Sequence, residues 1–148
     1  MRDGSAIRIP GAAVLALAGQ LWAGGFYLSV ENPGASPEAR KVGAALTIKA
    51  VGCHDPANAK VTAQAIGMVN GELRTIPLKV TAMSEPGVFA LARQWPSEGR
   101  WVIQLLGHND GVVTSSLLRA GPAGVDLKSW RGEMREFTAA EIEDMLRN

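Results

Sequence analysis

The chain has 148 residues, 47% hydrophobic and 20% charged, which suffices for one globular domain with a core and excludes wholesale disorder. A formal charge of +1 without a basic run makes nucleic acid and anionic membrane poor partners. The single Cys excludes an internal disulfide, so the fold must stand on its core, while 17 Gly and 8 Pro supply the turns of an all-β chain.

Residues 1–23 read as a secretory signal peptide. Arg2 and Arg8 against Asp3 give a weakly positive start, and residues 9–17 (IPGAAVLAL) a short apolar stretch. Ala16-Leu17-Ala18 and Leu21-Trp22-Ala23 each present small residues for cleavage, with the cut after Ala23 preferred. The alternative is an uncleaved anchor, since apolar character continues to Leu28. Gly11, Gly19, Gly24 and Gly25 make that run a poor spanning helix. Losing Arg2, Arg8 and Asp3 takes the formal charge of +1 to zero. The expected address is the periplasm or the exterior, with no membrane contact after cleavage.

Strand signals follow in order. Residues 25–31 (GFYLSVE) place Phe26, Leu28 and Val30 on one face, and residues 32–42 (NPGASPEARKV) read as a loop. Residues 44–52 alternate with Leu46, Ile48 and Ala50 inward, and residues 60–69 with Val61, Ala63 and Ala65 inward. Residues 53–59 (CHDPANA) between them lack any period and read as a loop. Asn70-Gly71 is the hairpin dipeptide of a type I′ turn. The returning strand, residues 72–83, carries Pro77, which confines it to an edge or a bulge. Residues 87–106 (GVFALARQWPSEGRWVIQLL) form two apolar runs across Pro96-Ser97-Glu98-Gly99, each with a Trp near the turn. Residues 111–119 close the sheet after His108-Asn109-Asp110. Seven short strands punctuated by turns predict an all-β immunoglobulin-like antiparallel β-sandwich over residues 24–120, with a small closed barrel as the alternative.

Residues 121–148 read as a linker and tail. Thr138-Ala139-Ala140-Glu141 is a capping box, and Phe137 before it can staple to Ile142. A short C-terminal helix over residues 139–147 follows, with Ile142, Met145 and Leu146 on one side. It is too short to stand alone and must dock on its own sandwich or on a partner; self-docking is the favoured reading.

The run Pro86-Gly87-Val88-Phe89-Ala90-Leu91, followed by Trp95-Pro96, Gly99 and Trp101, resembles bacterial YtkA-like and FixH-like domains and, more loosely, the CopC copper-resistance sandwich. In these exported or membrane-anchored modules a strand opened by Pro-Gly and an aromatic residue is followed by a Gly-x-Trp strand. The resemblance is densest over residues 86–106, spans residues 25–120 in strand order, and implies the fold. Copper carriage does not carry over with it. No His follows either cleavage site at the N-terminus, and the chain has only 2 His and no Met-rich loop.

One constellation could bind a metal. Strand order sends the turns at 53–59, 84–86 and 108–111 to one end of the sandwich, bringing Cys53, His54 and Asp55 towards His108, Asn109 and Asp110. A thiolate and two imidazoles suit zinc or copper(I). Against this, adjacent Cys53 and His54 point to opposite faces of an extended chain, and a buried free Cys between ordinary turns is the commoner arrangement. No strained nucleophile turn or oriented base accompanies the Cys and His, so no catalytic residue is assigned. Trp95 and Trp101 read as core closure rather than a ligand platform. The acidic residues of the tail, interspersed with Arg131, Arg135 and Arg147, read as a solvated face.

The sequence thus predicts an exported, non-enzymatic binding or accessory module. Its ligand contacts would come from the loop end, with Asp55, Asn109 and Asp110 among them. One alternative is a periplasmic copper- or zinc-binding protein using Cys53, His54 and His108. The other is a structural subunit that docks a protein partner through Trp130, Phe137, Ile142 and Leu146 of its tail.

Overall fold

A computed structural model describes residues 25–34, 36–52 and 55–148. The expected signal peptide, residues 1–23, and the candidate metal ligands Cys53 and His54 lie outside the described residues. Two antiparallel sheets pack face to face. The first contains β1 (Tyr27–Glu31), β2 (Ala44–Val51), β6 (Val88–Ala92) and β5 (Val80–Ala82), in that order. The second runs β4 (Glu72–Leu78), β3 (Lys60–Val69), β7 (Arg100–Asn109), β8 (Val112–Gly121) and β9 (Gly124–Glu133). This is the expected all-β sandwich, built from nine strands among the described residues rather than about seven.

Period-two alternation fills the space between the sheets. Leu46, Ile48 and Ala50 of β2, Ala63 and Ala65 of β3, and Trp101, Ile103 and Leu105 of β7 join Phe26, Leu28 and Leu118 in one buried cluster. Trp95 belongs to the same cluster, so both tryptophans of the central hairpin close the core. Trp101 also donates its indole N–H to the Glu98 carbonyl at 2.8 Å, which satisfies the one polar atom its burial would strand. Its ring lies over Gly67, where a Cβ would come within 2.4 Å of it. At this crossing of β3 and β7 only Gly leaves room for the indole.

The hairpin turns follow their residues. Asn70 and Gly71 adopt φ of 51° and 80°, as a type I′ turn requires. Asp110 and Gly111, at 47° and 77°, make a second such turn between β7 and β8. β7 therefore runs on through His108 and Asn109, which sequence reading had placed in the turn.

Three segments depart from expectation. Residues 37–41 (Pro37–Lys41) form a short helix, α1, where a loop was expected. The Ser36 side chain accepts from the Ala39 amide, and Pro37 opens the helix. The Glu38 carboxylate then accepts from the Ser84 amide and hydroxyl at 2.7 and 2.8 Å, tying α1 to the turn before β6. Residues 72–83 are two strands in different sheets, not one. Pro77 lies on the edge strand β4, which pairs only with β3, and the chain crosses sheets at Lys79. The Gln94 side-chain amide replaces the lost ladder there, accepting from Lys79 N–H at 2.8 Å and donating to its carbonyl at 2.9 Å.

The third departure moves the end of the sandwich. Residues 121–133 are not a linker: β8 continues to Gly121, and Pro122-Ala123 turns the chain into the edge strand β9. The sandwich thus reaches Glu133. Register breaks inside β9, where Asp126 pairs with Arg119 but Arg131 with Leu117. Residues 127–130 of β9 thus stand against Leu118 alone, and Ser129 Oγ accepts from the Arg119 amide at 2.8 Å in place of a strand carbonyl.

Helix α2 (Ala139–Arg147) forms as the sequence predicts. Thr138 and Glu141 complete the reciprocal capping box. The helix lies on the outer face of the five-stranded sheet, where Ile142, Met145 and Leu146 pack with Phe137 on Ile66, Val102 and Leu117. Among the described residues, the two buried clusters draw on side chains from Phe26 to Leu146.

Candidate functional site

The loop end is the first place where sequence-selected residues meet. Asp55 caps a single 3-10 turn (Pro56–Asn58), its carboxylate accepting from the Ala57 amide at 3.1 Å and the Asn58 side chain at 2.8 Å. Asn109, 6% exposed at the end of β7, donates its side-chain amide to the Asp55 carbonyl at 3.1 Å. A Cβ on Gly87 would lie 2.6 Å from Pro56, so the turn before β6 presses on the same loop. The three turns at 55–58, 84–87 and 109–111 do converge. Asn109 is the residue that joins two of them.

The side chains do not all point together. Gly107 faces inward against Phe26 and Leu28, so its neighbour His108 faces outward by strand parity and is exposed, opposite Lys60 and Val113 in the ladder. Asp110 is exposed in the turn. The Asp55 carboxylate is engaged by its own turn. Among the described residues, no three His, Cys, Asp or Glu side chains gather as a metal site would need. The fit of a metal therefore hinges on Cys53 and His54.

The tail residues separate into two groups. Phe137, Ile142 and Leu146 are buried on the chain's own sheet, the self-docked arrangement. Arg131 and Arg135 lie over the Phe137 ring at 5.8 and 5.9 Å from its centre. Arg135 also meets the Glu141 carboxylate at 2.8 and 2.9 Å, and these bonds, with that from the Thr138 amide, hold the Glu141 carboxyl down at about 2. These contacts seal the entry to α2. Offering its apolar face to a partner would first require breaking them.

Trp130 differs from the other three. It is 38% exposed and lies over Gly132, where a Cβ would fall 2.6 Å from the indole. With Tyr27 at 44% and Met134 at 51% exposure it lines a groove of about 540 Å³ at the open edge of the sandwich, between β1 and β9. Gly25 forms one wall, 3.4 Å from Met134 Sδ as measured from the position of an added Cβ. Sequence reading picked out Trp130 but not Tyr27 or Met134. Their only signal was an apolar residue on the solvent side of an edge strand or just beyond it.

No helix among the described residues is long and apolar enough to cross a membrane. No family model, no curated protein and no solved structure matches the chain.

Proposed function

We propose that the chain is an exported, non-enzymatic binding or accessory module whose ligand contacts lie at the loop end of the sandwich. The observation that supports this is the hydrogen bond from Asn109 to the Asp55 carbonyl. It fixes an irregular loop beside a strand end, which is how a rigid scaffold presents variable contact residues. The turn before β6, held from one side by Glu38 and pressed on Pro56 from the other, completes the surface. The resemblance to YtkA-like and FixH-like domains, which are exported or membrane-anchored, agrees with the sandwich and with an exported address. The test is amide chemical-shift mapping of the exported protein against a concentrated periplasmic extract. Shifts confined to residues 55–58, 84–87 and 107–111 support the reading. Shifts confined to the opposite end or to α2 overturn it.

A second reading, copper or zinc binding through Cys53, His54 and His108, draws on the same contact. Asn109 holds the loop that follows Cys53 and His54 beside the strand end that carries His108. Anaerobic calorimetric titration of the reduced protein with Zn²⁺ and with Cu⁺, beside a Cys53→Ser, His108→Ala variant, decides it. Stoichiometric binding lost in the variant identifies a metal handler. Absence of binding in the unaltered protein removes the metal reading and leaves the module.

A further inference from the structure

Strand order sends the 70–71 turn and the turn between β6 and β7 to the end of the sandwich away from residues 55–58 and 109–111. There the first half of β4 has no strand facing it. The strand it crosses into, β5, spans only Val80–Ala82, so residues 74–76 are met by the 96–99 turn instead. Between them lies a cavity of about 520 Å³, inside the range of about 300–1,000 Å³ usual for small-molecule sites. Part of its wall is apolar: buried Trp101, with Val69 and Ile76 half-buried against the inter-sheet core. Arg74 and Glu98 supply its two charges. Both stand on fixed backbone. Arg74 pairs in the β3–β4 ladder with Gly67, the position that the Trp101 ring covers, and so shares that face of the sheet. The Glu98 carbonyl accepts the Trp101 indole N–H at 2.8 Å, and Gly99 turns the chain after it at a φ of 85°. Yet the two side chains do not meet. Among the described residues, neither the Arg74 guanidinium nor the Glu98 carboxylate has an ion-pair or hydrogen-bond partner.

A cation and an anion held apart beside an apolar wall are complementary to a small molecule that carries both charges and an apolar group. We propose that this cavity binds a small zwitterion of that kind, an apolar α-amino acid or short apolar peptide, with its carboxylate on Arg74, its ammonium on Glu98 and its side chain against Val69, Ile76 and Trp101. The planar guanidinium can take a carboxylate through two parallel N–H donors, a geometry that a lysine ammonium lacks. Both charged residues are exposed, so solvent screens each contact, and the expected affinity lies in the high-micromolar to millimolar range. The site goes beyond the loop-end reading and does not depend on it.

The test titrates the full chain with L-leucine, L-phenylalanine and the dipeptide Leu-Leu, followed by amide chemical shifts. N-acetylleucine, which lacks the ammonium, and leucinamide, which lacks the carboxylate, are the controls. Saturable shifts confined to residues 69–76 and 96–101 are expected with the zwitterions. Arg74→Met and Glu98→Gln should each weaken binding by about tenfold or more, since each removes a hydrogen bond to a charged group. Both positions are exposed, so each variant should melt within a few degrees of the unaltered protein, which separates lost binding from lost fold. Tighter binding of Leu-Leu than of leucine identifies a peptide as the source and the reverse a free amino acid; both uphold the shared chemistry. Absence of saturable shifts with all three zwitterions overturns the proposal. Either control binding as well as leucine overturns it too, as does affinity that survives both substitutions. Shifts confined to residues 55–58 and 107–111 move the amino acid to the loop end, overturning this site while leaving the loop-end reading in place.

Discussion

Shortening Leu146 to Ala tests whether packing on the chain's own sheet is what holds α2. Leu146 is buried among Ile66, Val102, Leu117, Phe137, Ile142 and Met145, a cluster separate from the inter-sheet core. Truncating a buried Leu costs about 2–5 kcal/mol, the larger values where surrounding structure cannot relax into the cavity. A terminal helix of nine residues can settle partway onto the sheet, so the lower half of that range, about 2–3 kcal/mol, is expected here. For a chain of this size each kcal/mol lowers Tm by about 2–4 °C, giving a fall of about 4–12 °C. Urea unfolding followed by far-ultraviolet circular dichroism measures the free energy. Trypsin under native conditions reads the tail directly, since Arg131 and Arg135 should be cut faster once α2 loosens. Trp130→Ala, at an exposed position, serves as the control and should cost under about 1 kcal/mol. If Leu146→Ala costs less than about 0.5 kcal/mol and leaves tryptic cutting unchanged, the outer-face cluster is not what anchors the helix. Its apolar side would then be available to a partner, and the structural-subunit reading would take precedence.

Other substitutions probe the remaining contacts. Thr138→Ala removes the hydroxyl that accepts the Glu141 amide and should cost about 1 kcal/mol in urea unfolding. Glu141 itself should make stability acid-sensitive. Its carboxyl sits at about 2 in the fold, below its ordinary 4.5, because Arg135 and then the Thr138 amide bond the charged form. That contribution is complete above about pH 5 and is lost as pH falls from 4.5 towards 2; Glu141→Gln should flatten this part of the pH–stability curve, and an unchanged slope would contradict the assignment. Gly67→Ala places a methyl into the Trp101 ring and should destabilise by about 1–3 kcal/mol with a change in near-ultraviolet circular dichroism. Asn109→Ala frees the 55–58 loop; hydrogen exchange there should accelerate, with a global loss of about 1–2 kcal/mol.

How far the fold was legible follows from where alternation is clean. β2, β3 and β7 face the core on one side, and their period of two picks out the inward residues directly. The capping box of α2 is equally local, a four-residue motif in which the Thr138 and Glu141 side chains each accept from the other's backbone amide. β9 escaped because its alternation breaks in mid-strand. Val125 and Leu127 point to the core, then the bulge shifts parity, and Ser129 replaces a carbonyl with a hydroxyl that no pattern of apolar residues records. The crossing at Lys79 is hidden for a related reason. Either sheet would accept the alternating residues 72–82, and the partner that settles the bend is Gln94, fifteen positions away.

The loop end was legible in topology and not in chemistry. Strand order alone places three turns at one end, and Asn109 touching Asp55 follows from that order. Which side chains meet there depends on parity, and parity was readable too. With Trp101, Ile103, Leu105 and Gly107 inward, His108 must face out and Asn109 in. The ring that invited a metal reading is thereby turned towards solvent, while the amide beside it is buried and holds the loop. Asn109 was named as a contact residue for its polarity, yet its burial makes it the support under whatever surface the neighbouring loop presents. A ligand at this end would accordingly be felt through Asp55 and the 84–87 turn first, and through Asn109 only as the loop it holds gives way.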